Sequence, residues 1–244
     1  MIVAISNQNG GTGKSSTTAA LAQAAAMQGK KALVIDLDPQ GNTTFFLEAD
    51  PGKKTALDLL QGEPIKKVLQ PAGRNLDAVA ASWNLQTITS SRGSARRLRA
   101  ALEPVAAEYD LICIDTPPTA GELQNNALMA ATDLIIPMRA DTVGLQGFYQ
   151  MVNTARQIQK GNPALKLTGY ILTRYRANSR LVKQMTQNIE AAAAAMGIPF
   201  LGEIREAIAI QEAQALQQNL FDYSFNSNPA IDYLRLYRKI TEDK

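Results

Sequence analysis

A glycine-rich turn ending in lysine and serine, and a set of aspartates that close apolar runs, are the residues of this chain with the types and spacing to handle a triphosphate. The turn reads Asn9-Gly10-Gly11-Thr12-Gly13-Lys14-Ser15-Ser16. Glycines let backbone amides converge on an anion, a helix start adds unpaired donors and a favourable dipole, and Lys14 brings a full positive charge. By that chemistry Lys14 reaches the β- and γ-phosphates and the Ser15 hydroxyl ligates Mg²⁺. The common phosphate-loop pattern has another glycine where this chain has Gln8, so only its Gly-Lys-Ser end is met. A glycine-rich helix entry that binds nothing is the alternative.

The aspartates supply the second half. Val34-Ile35-Asp36-Leu37-Asp38 and Ile112-Cys113-Ile114-Asp115 are apolar runs that end in carboxylates. In parallel sheets, ligands bind at such strand ends. A hard cation beside a phosphate takes oxygen ligands, directly or through water. Each aspartate could instead cap its own following turn.

Apolar runs that suit buried parallel strands must position these groups: Ile2–Ser6, Ala32–Asp36, Leu76–Ala80, Leu111–Asp115, Leu134–Met138, Leu167–Leu172 and Phe200–Ile204. Helical patterns separate them, beginning with the alanine-rich Thr17–Gln28. The alternation predicts an α/β fold, a mostly parallel sheet with helices on both faces, in one domain over residues 1–244. Asn178 is placed to cap a helix with Leu181, Met185, Ile189 and Met196 on one face, ended by Gly197; Asn228-Pro229 opens a last helix.

Composition removes several chemistries. The chain has no histidine, so a carboxylate or a positioned water must replace a histidine base or metal ligand. Its one cysteine, Cys113, falls inside an apolar run and reads as a buried strand residue. A net charge of +3 is too small to announce a nucleic-acid binder, so any contact with a phosphate backbone must come from local clusters. The first strand begins at once, without a signal core, and no apolar run approaches the ~18 residues that cross a bilayer. A cytoplasmic protein is the expectation.

Asn-Gly-Gly-Thr-Gly-Lys-Ser, Asp-Leu-Asp-Pro-Gln-Gly-Asn and Tyr-Asp-Leu-Ile-Cys-Ile-Asp-Thr-Pro-Pro, at these spacings, resemble the ParA/Soj family of deviant Walker P-loop ATPases that partition plasmids and chromosomes. The likeness extends over essentially the whole chain, in the short form. It implies an ATPase using ATP and Mg²⁺. Asn9, Gly10 and Gly11 to Ser16 lie at the phosphates, with Lys14 and Asp38 catalytic and Asp38 orienting the attacking water. Ser15 holds the metal, with Asp36 and Asp115 supporting it through its water shell. Thr173, Arg174, Ile204 and Arg205 lie near the adenine, although the family's Pro-Arg-Asn is here Ile204-Arg205-Glu206. The family pattern begins Lys-Gly-Gly, and that lysine reaches the partner's nucleotide across an ATP-sandwich dimer. This chain has Asn9 there, an amide without charge, which predicts weaker transition-state stabilisation and slow turnover unless a cation from Arg92–Arg99 substitutes.

The resemblance further implies an ATP-dependent homodimer, non-specific DNA binding at the nucleoid and release when a ParB-like partner stimulates hydrolysis. Candidate DNA contacts are Arg174, Arg176, Arg180 and Lys183, and Arg235, Arg238 and Lys239, with Arg96, Arg97 and Arg99 a third cluster. Any of these clusters could equally be a solvated helix face. A dimerising switch with little turnover is one alternative. Another is a membrane-cycling ATPase resembling MinD, against which the tail Asn228–Lys244 reads as a helix docking on its own domain.

Overall fold

The computed structural model describes residues 1–91, 93–176 and 180–242. The chain runs β1 (Ile2–Ile5), α1 (Lys14–Met27), β2 (Ala32–Asp36), α2 (Asn42–Phe46), α3 (Ala56–Leu60), β3 (Gln70–Gly73), β4 (Leu76–Val79), α4 (Arg97–Leu102) and β5 (Leu111–Asp115). It continues with α5 (Glu122–Ala130), β6 (Asp133–Met138), α6 (Thr142–Gln159), β7 (Lys166–Tyr175), α7 (Arg180–Ala195), β8 (Phe200–Arg205), α8 (Ile208–Ala215), α9 (Leu220–Ser224) and α10 (Asn228–Glu242). The strands form one sheet in the order β3-β4-β2-β5-β1-β6-β7-β8.

All pairs are parallel except β3 with β4. The seven expected strands are all present; β3 is an addition. Its Gln-Pro-Ala-Gly sequence lacks any strand-forming pattern, and only its place at the sheet edge, where Pro71 forfeits no interior ladder bond, makes it a strand.

Successive strand residues point to opposite faces and feed two cores. Ala4, Leu33, Ile35, Ile112 and Ile114 pack with Leu59, Leu98, Leu128, Phe148 and Ile189. Val3, Ile5, Val34, Leu111 and Cys113 pack with Leu21, Phe221, Tyr233, Leu236 and Ile240. Both faces are therefore covered, which is why the central strands read as unbroken apolar runs. Cys113 is fully buried, and burial pushes its thiol up to about 12, so it stays protonated and inert.

Two helix expectations need adjustment. The Asn178 cap lies outside the described residues. On α7 only Ile189 and Ala193 are buried, while Leu181 stands 71% exposed, so the apolar face covers the core only in its second half. Gly197 does end that helix region in the left-handed conformation, with the Ile198 amide bonding back to the Ala193 carbonyl. Asn228 opens α10, which packs on β8 and α1 through Tyr233, Leu236, Tyr237 and Ile240. Among the described residues no helix is long and apolar enough to cross a membrane.

Candidate functional site

Residues 6–13 connect β1 to α1 at the carboxyl end of the sheet. Gly11 and Gly13 have φ of 68° and 79°, a conformation that side-chain-bearing residues resist, and Gly13 is the N-cap of α1. With no side-chain cap bond at Gly13, the first amides of α1 face the loop mouth, an arrangement that receives an anion. Lys14 is buried, and its ammonium donates to the Asn9 carbonyl at 3.0 Å. Burial lowers its pKa, while Asp115 and Asp38 oppose that shift. Thr173 closes the loop from β7, donating to the Thr12 carbonyl at 2.9 Å.

Asn9 is locked in place. Its side-chain amide donates to the Val143 carbonyl at 2.6 Å, and its backbone amide donates to Asn7 Oδ1 at 3.1 Å. Asn7 in turn donates to the Pro137 carbonyl at 2.8 Å. Position 147 on α6 is glycine, and a Cβ there would overlap the Asn9 side-chain amide as it now stands.

The aspartates meet beside this loop. Asp36 and Asp115 are register partners on β2 and β5, both buried. Asp36 Oδ1 accepts from the Asp38 amide at 3.0 Å, and its Oδ2 accepts from the Thr44 amide at 2.8 Å and the Thr44 hydroxyl at 2.7 Å. Burial, reinforced by the charge of Asp115, raises the Asp36 pKa to about 8. Asp115 accepts from the Thr43 hydroxyl at 2.7 Å and the Thr116 amide at 3.0 Å. Burial lifts it to about 6 against the opposing hydrogen bonds of Ser15 and Thr43. Asp38 accepts the Gln40 amide on Oδ1 at 3.0 Å; burial raises its pKa, and Lys14 opposes the rise. Its Oδ2 has no protein donor among the described residues.

Turn-capping and site-building are thus the same geometry, since Asp36 and Asp38 each hold the loop that follows them. The donors are hard oxygens, which fit Mg²⁺. Among the described residues no three carboxylate, thiol or imidazole groups cluster to hold an ion, so the set fits a cation shared with phosphate and water rather than a protein cage.

Thr173, Arg174, Ile204 and Arg205, distant in sequence, come together with Gly13 and Ser16 around a small cavity of about 60 Å³. Sequence reasoning missed Gln214, which donates to Ser16 Oγ at 2.8 Å, and Tyr233, whose hydroxyl is 3.3 Å from that of Thr17. It also missed Thr43 and Thr44. Helical spacing identifies none of them; a hydroxyl pair soon after Asp38 was the available signal. Arg205 is committed elsewhere, its guanidinium forked on the buried Asp232 at 2.9 and 2.7 Å.

The basic candidates lie in three surface groups. Arg174 and Arg176 close β7, and Arg180 and Lys183 open α7; all four are exposed, with Arg176 paired to Glu206. On α10, Arg235, Arg238 and Lys239 are exposed, with Arg235 3.9 Å from Asp232 and Lys239 donating to the Phe200 carbonyl at 2.8 Å. Arg97 reaches Ser91 Oγ at 3.3 Å, and Arg92 lies outside the described residues.

A parallel sheet with a glycine loop, a buried lysine and strand-end aspartates at its carboxyl edge defines a P-loop nucleotide-binding α/β protein. Residues 1–167 match the family described as an AAA domain. The chromosome partitioning protein ParA of Myxococcus xanthus is 32% identical over 253 residues, spanning 98% of this chain and 87% of its own. The chromosome-partitioning ATPase Soj of Thermus thermophilus is 32% identical over 245 residues, spanning 98% and 94%. Cobyrinic acid a,c-diamide synthase of Mycobacterium smegmatis, solved with a bound ATP analogue and magnesium, has a TM-score of 0.84 at 27% identity, covering 100% of this chain and 96% of its own. This chain belongs to the ParA/Soj family of partitioning ATPases.

Proposed function

We propose that this chain is a DNA-partitioning ATPase that binds Mg-ATP, dimerises, holds DNA without sequence preference and lets go when a ParB-like partner stimulates hydrolysis. The observation that carries the reading is the convergence of Lys14 and Ser15 with Asp36, Asp38 and Asp115 at one edge of the sheet. In it Asn9 and the Gly10 to Ser16 amides, with Lys14, receive the phosphates. Thr173, Arg174, Ile204 and Arg205 border the base. Ser15 holds magnesium, with Asp36 and Asp115 supporting it through its water shell; the ion when bound would supply positive charge against the phosphate oxygens. Asp38, raised in pKa by burial, offers Oδ2 to orient the attacking water. DNA contacts fall to Arg174, Arg176, Arg180 and Lys183 and to Arg235, Arg238 and Lys239, placing the dimer on nucleoid DNA.

A DNA mobility shift at two salt concentrations, with ATP, ADP or no nucleotide, tests this. The expected result is an ATP-dependent, salt-sensitive shift that Lys14→Ala abolishes. Binding indifferent to nucleotide overturns it.

Asn9 favours a second reading, a dimerising switch with little turnover. An amide tethered to the Val143 carbonyl carries no charge to a partner's nucleotide. Steady-state ATPase with and without DNA separates the two readings, and Asn9→Lys raises the rate if the missing charge is what limits it.

A further inference from the structure

Two consecutive hydroxyls at the start of α2 land on two different buried aspartates. Thr43 Oγ1 donates to Asp115 Oδ2 at 2.7 Å; the Ser15 carbonyl, its other neighbour, is farther at 3.4 Å. Thr44 Oγ1 donates to Asp36 Oδ2 at 2.7 Å and accepts from the Ala81 amide at 2.7 Å. Both threonines are buried, with exposures of 0% and 4%. They follow Gly41, whose left-handed φ of 65° turns the chain from Asp38 into α2. A hydroxyl has one proton to give, and here each is given to a carboxylate the strands alone do not orient.

We infer that Thr43 and Thr44 are positioning residues with divided tasks: Thr43 aims Asp115 at the metal beside Ser15, and Thr44 clamps Asp36 so that its other oxygen holds the Asp38 amide. The inference rests on the Mg-ATP reading above. Asp115 Oδ1 accepts from the Thr116 amide and the Ser15 hydroxyl also bonds this carboxylate, and the Thr43 bond to Oδ2 holds the orientation from the α2 side. Asp36 never needs to touch the metal in this scheme. Its Oδ2 is held by the amide and the hydroxyl of Thr44, and its Oδ1 fixes the backbone of the residue that orients water. Because both hydroxyls stand on one turn, a shift of α2 disturbs the metal side and the water side together. Partners that orient ligating carboxylates are as consequential as the ligands, and losing one costs about 10- to 100-fold in metal affinity or activity.

The chain carries its own reporter. Trp83, the only tryptophan, is 59% exposed and lines a groove with Gly41, Thr44 and Ala81. The experiment is a Mg²⁺ titration at fixed ATP, followed by Trp83 fluorescence and by ATPase rate, on the natural protein, Thr43→Val, Thr43→Ser, Thr44→Val and Thr44→Ser. The expected result is that Thr43→Val raises the Mg²⁺ half-saturation in both signals by about 10-fold or more. Its rate at saturating Mg²⁺ is largely retained. Thr44→Val lowers that rate by about 10-fold or more and leaves the fluorescence half-saturation in place. Each serine variant restores natural behaviour. If Thr44→Val fails to fold, Thr44→Ala replaces it, since the lost methyl leaves room for a water on the Ala81 amide.

Unchanged half-saturation and rate in the valine variants, or serine variants as impaired as valine, overturn the inference; the latter result would make the role one of packing. The Lys14→Ala variant distinguishes loss of Mg-ATP binding from loss of carboxylate positioning. Fluorescence titration of Lys14→Ala that matches the natural protein sinks the Mg-ATP reading itself, whereas Lys14-dependent binding with indifferent threonine variants sinks only this inference.

Discussion

The two ends of the proposed nucleotide site are built differently. On the phosphate side, β1, β2 and β5 pair without a break in register, and Asp36 and Asp115 are tied down by hydrogen bonds of 2.7 to 3.0 Å. On the base side, the register between β7 and β8 shifts twice, the second time between Leu172 and Tyr175, where Arg174 takes a left-handed φ of 50°. Phosphate and metal need charges fixed in advance, because reorienting them costs the stabilisation they provide.

Lys14→Ala should have the largest effect. It should weaken ATP binding about 10- to 100-fold by calorimetry, the usual worth of one charged hydrogen-bonding group. Arg205→Ala, on the base side, should change that affinity far less. Next is Gly147→Ala, whose Cβ displaces the Asn9 and Asn7 side-chain amides from their carbonyl partners and should cost about 1–3 kcal/mol in chemical denaturation.

The buried carboxylates sharpen the contrast through pH. Asp36, near 8 when folded against 3.8 as the ordinary value, and Asp115, near 6, hold more protons folded than unfolded. Their stabilisation is complete below about pH 4 and is lost as pH rises through the folded values, so the nucleotide-free protein should unfold at progressively lower temperature between about pH 5 and 8. A thermal midpoint that rises over that range contradicts the assignment.

On the base side, Arg205→Ala removes the guanidinium fork and leaves the buried Asp232 with the residue 205 backbone amide at 3.0 Å and the more distant Arg235. Arg205 is a third exposed, so the loss should be about 1–2 kcal/mol by denaturation rather than that of a deeply buried pair. Smallest are the exposed cations. Arg238→Ala should lower DNA affinity by under about 1 kcal/mol and reduce the slope of affinity against salt by about one, which a filter-binding salt series measures. An unchanged slope removes Arg238 from the interface.

Legibility in the sequence follows the same division. The phosphate side was readable because its signals are local: Gly13-Lys14-Ser15 must sit at a helix start, and an apolar run ending in Asp36 or Asp115 must end at the sheet's carboxyl edge. The strand–helix alternation was readable because both faces of the sheet are covered. The β3 edge strand was not, since Pro71 and Gly73 argue against a strand until an edge excuses them. Nor was the exposure of Leu181, because helical spacing reports a shared face but not whether anything covers it.

By itself, then, the sequence determined the order of elements, the anion-binding turn and the supply of carboxylates, because each depends on residues adjacent in the chain. Only the tertiary structure decided that Thr43 serves Asp115 while Thr44 serves Asp36, that Gly147 admits Asn9, and that Arg205 belongs to Asp232. Those are contacts between segments far apart in the chain or choices between neighbouring side chains. Their distances are set by sheet order and helix packing, which no local pattern encodes.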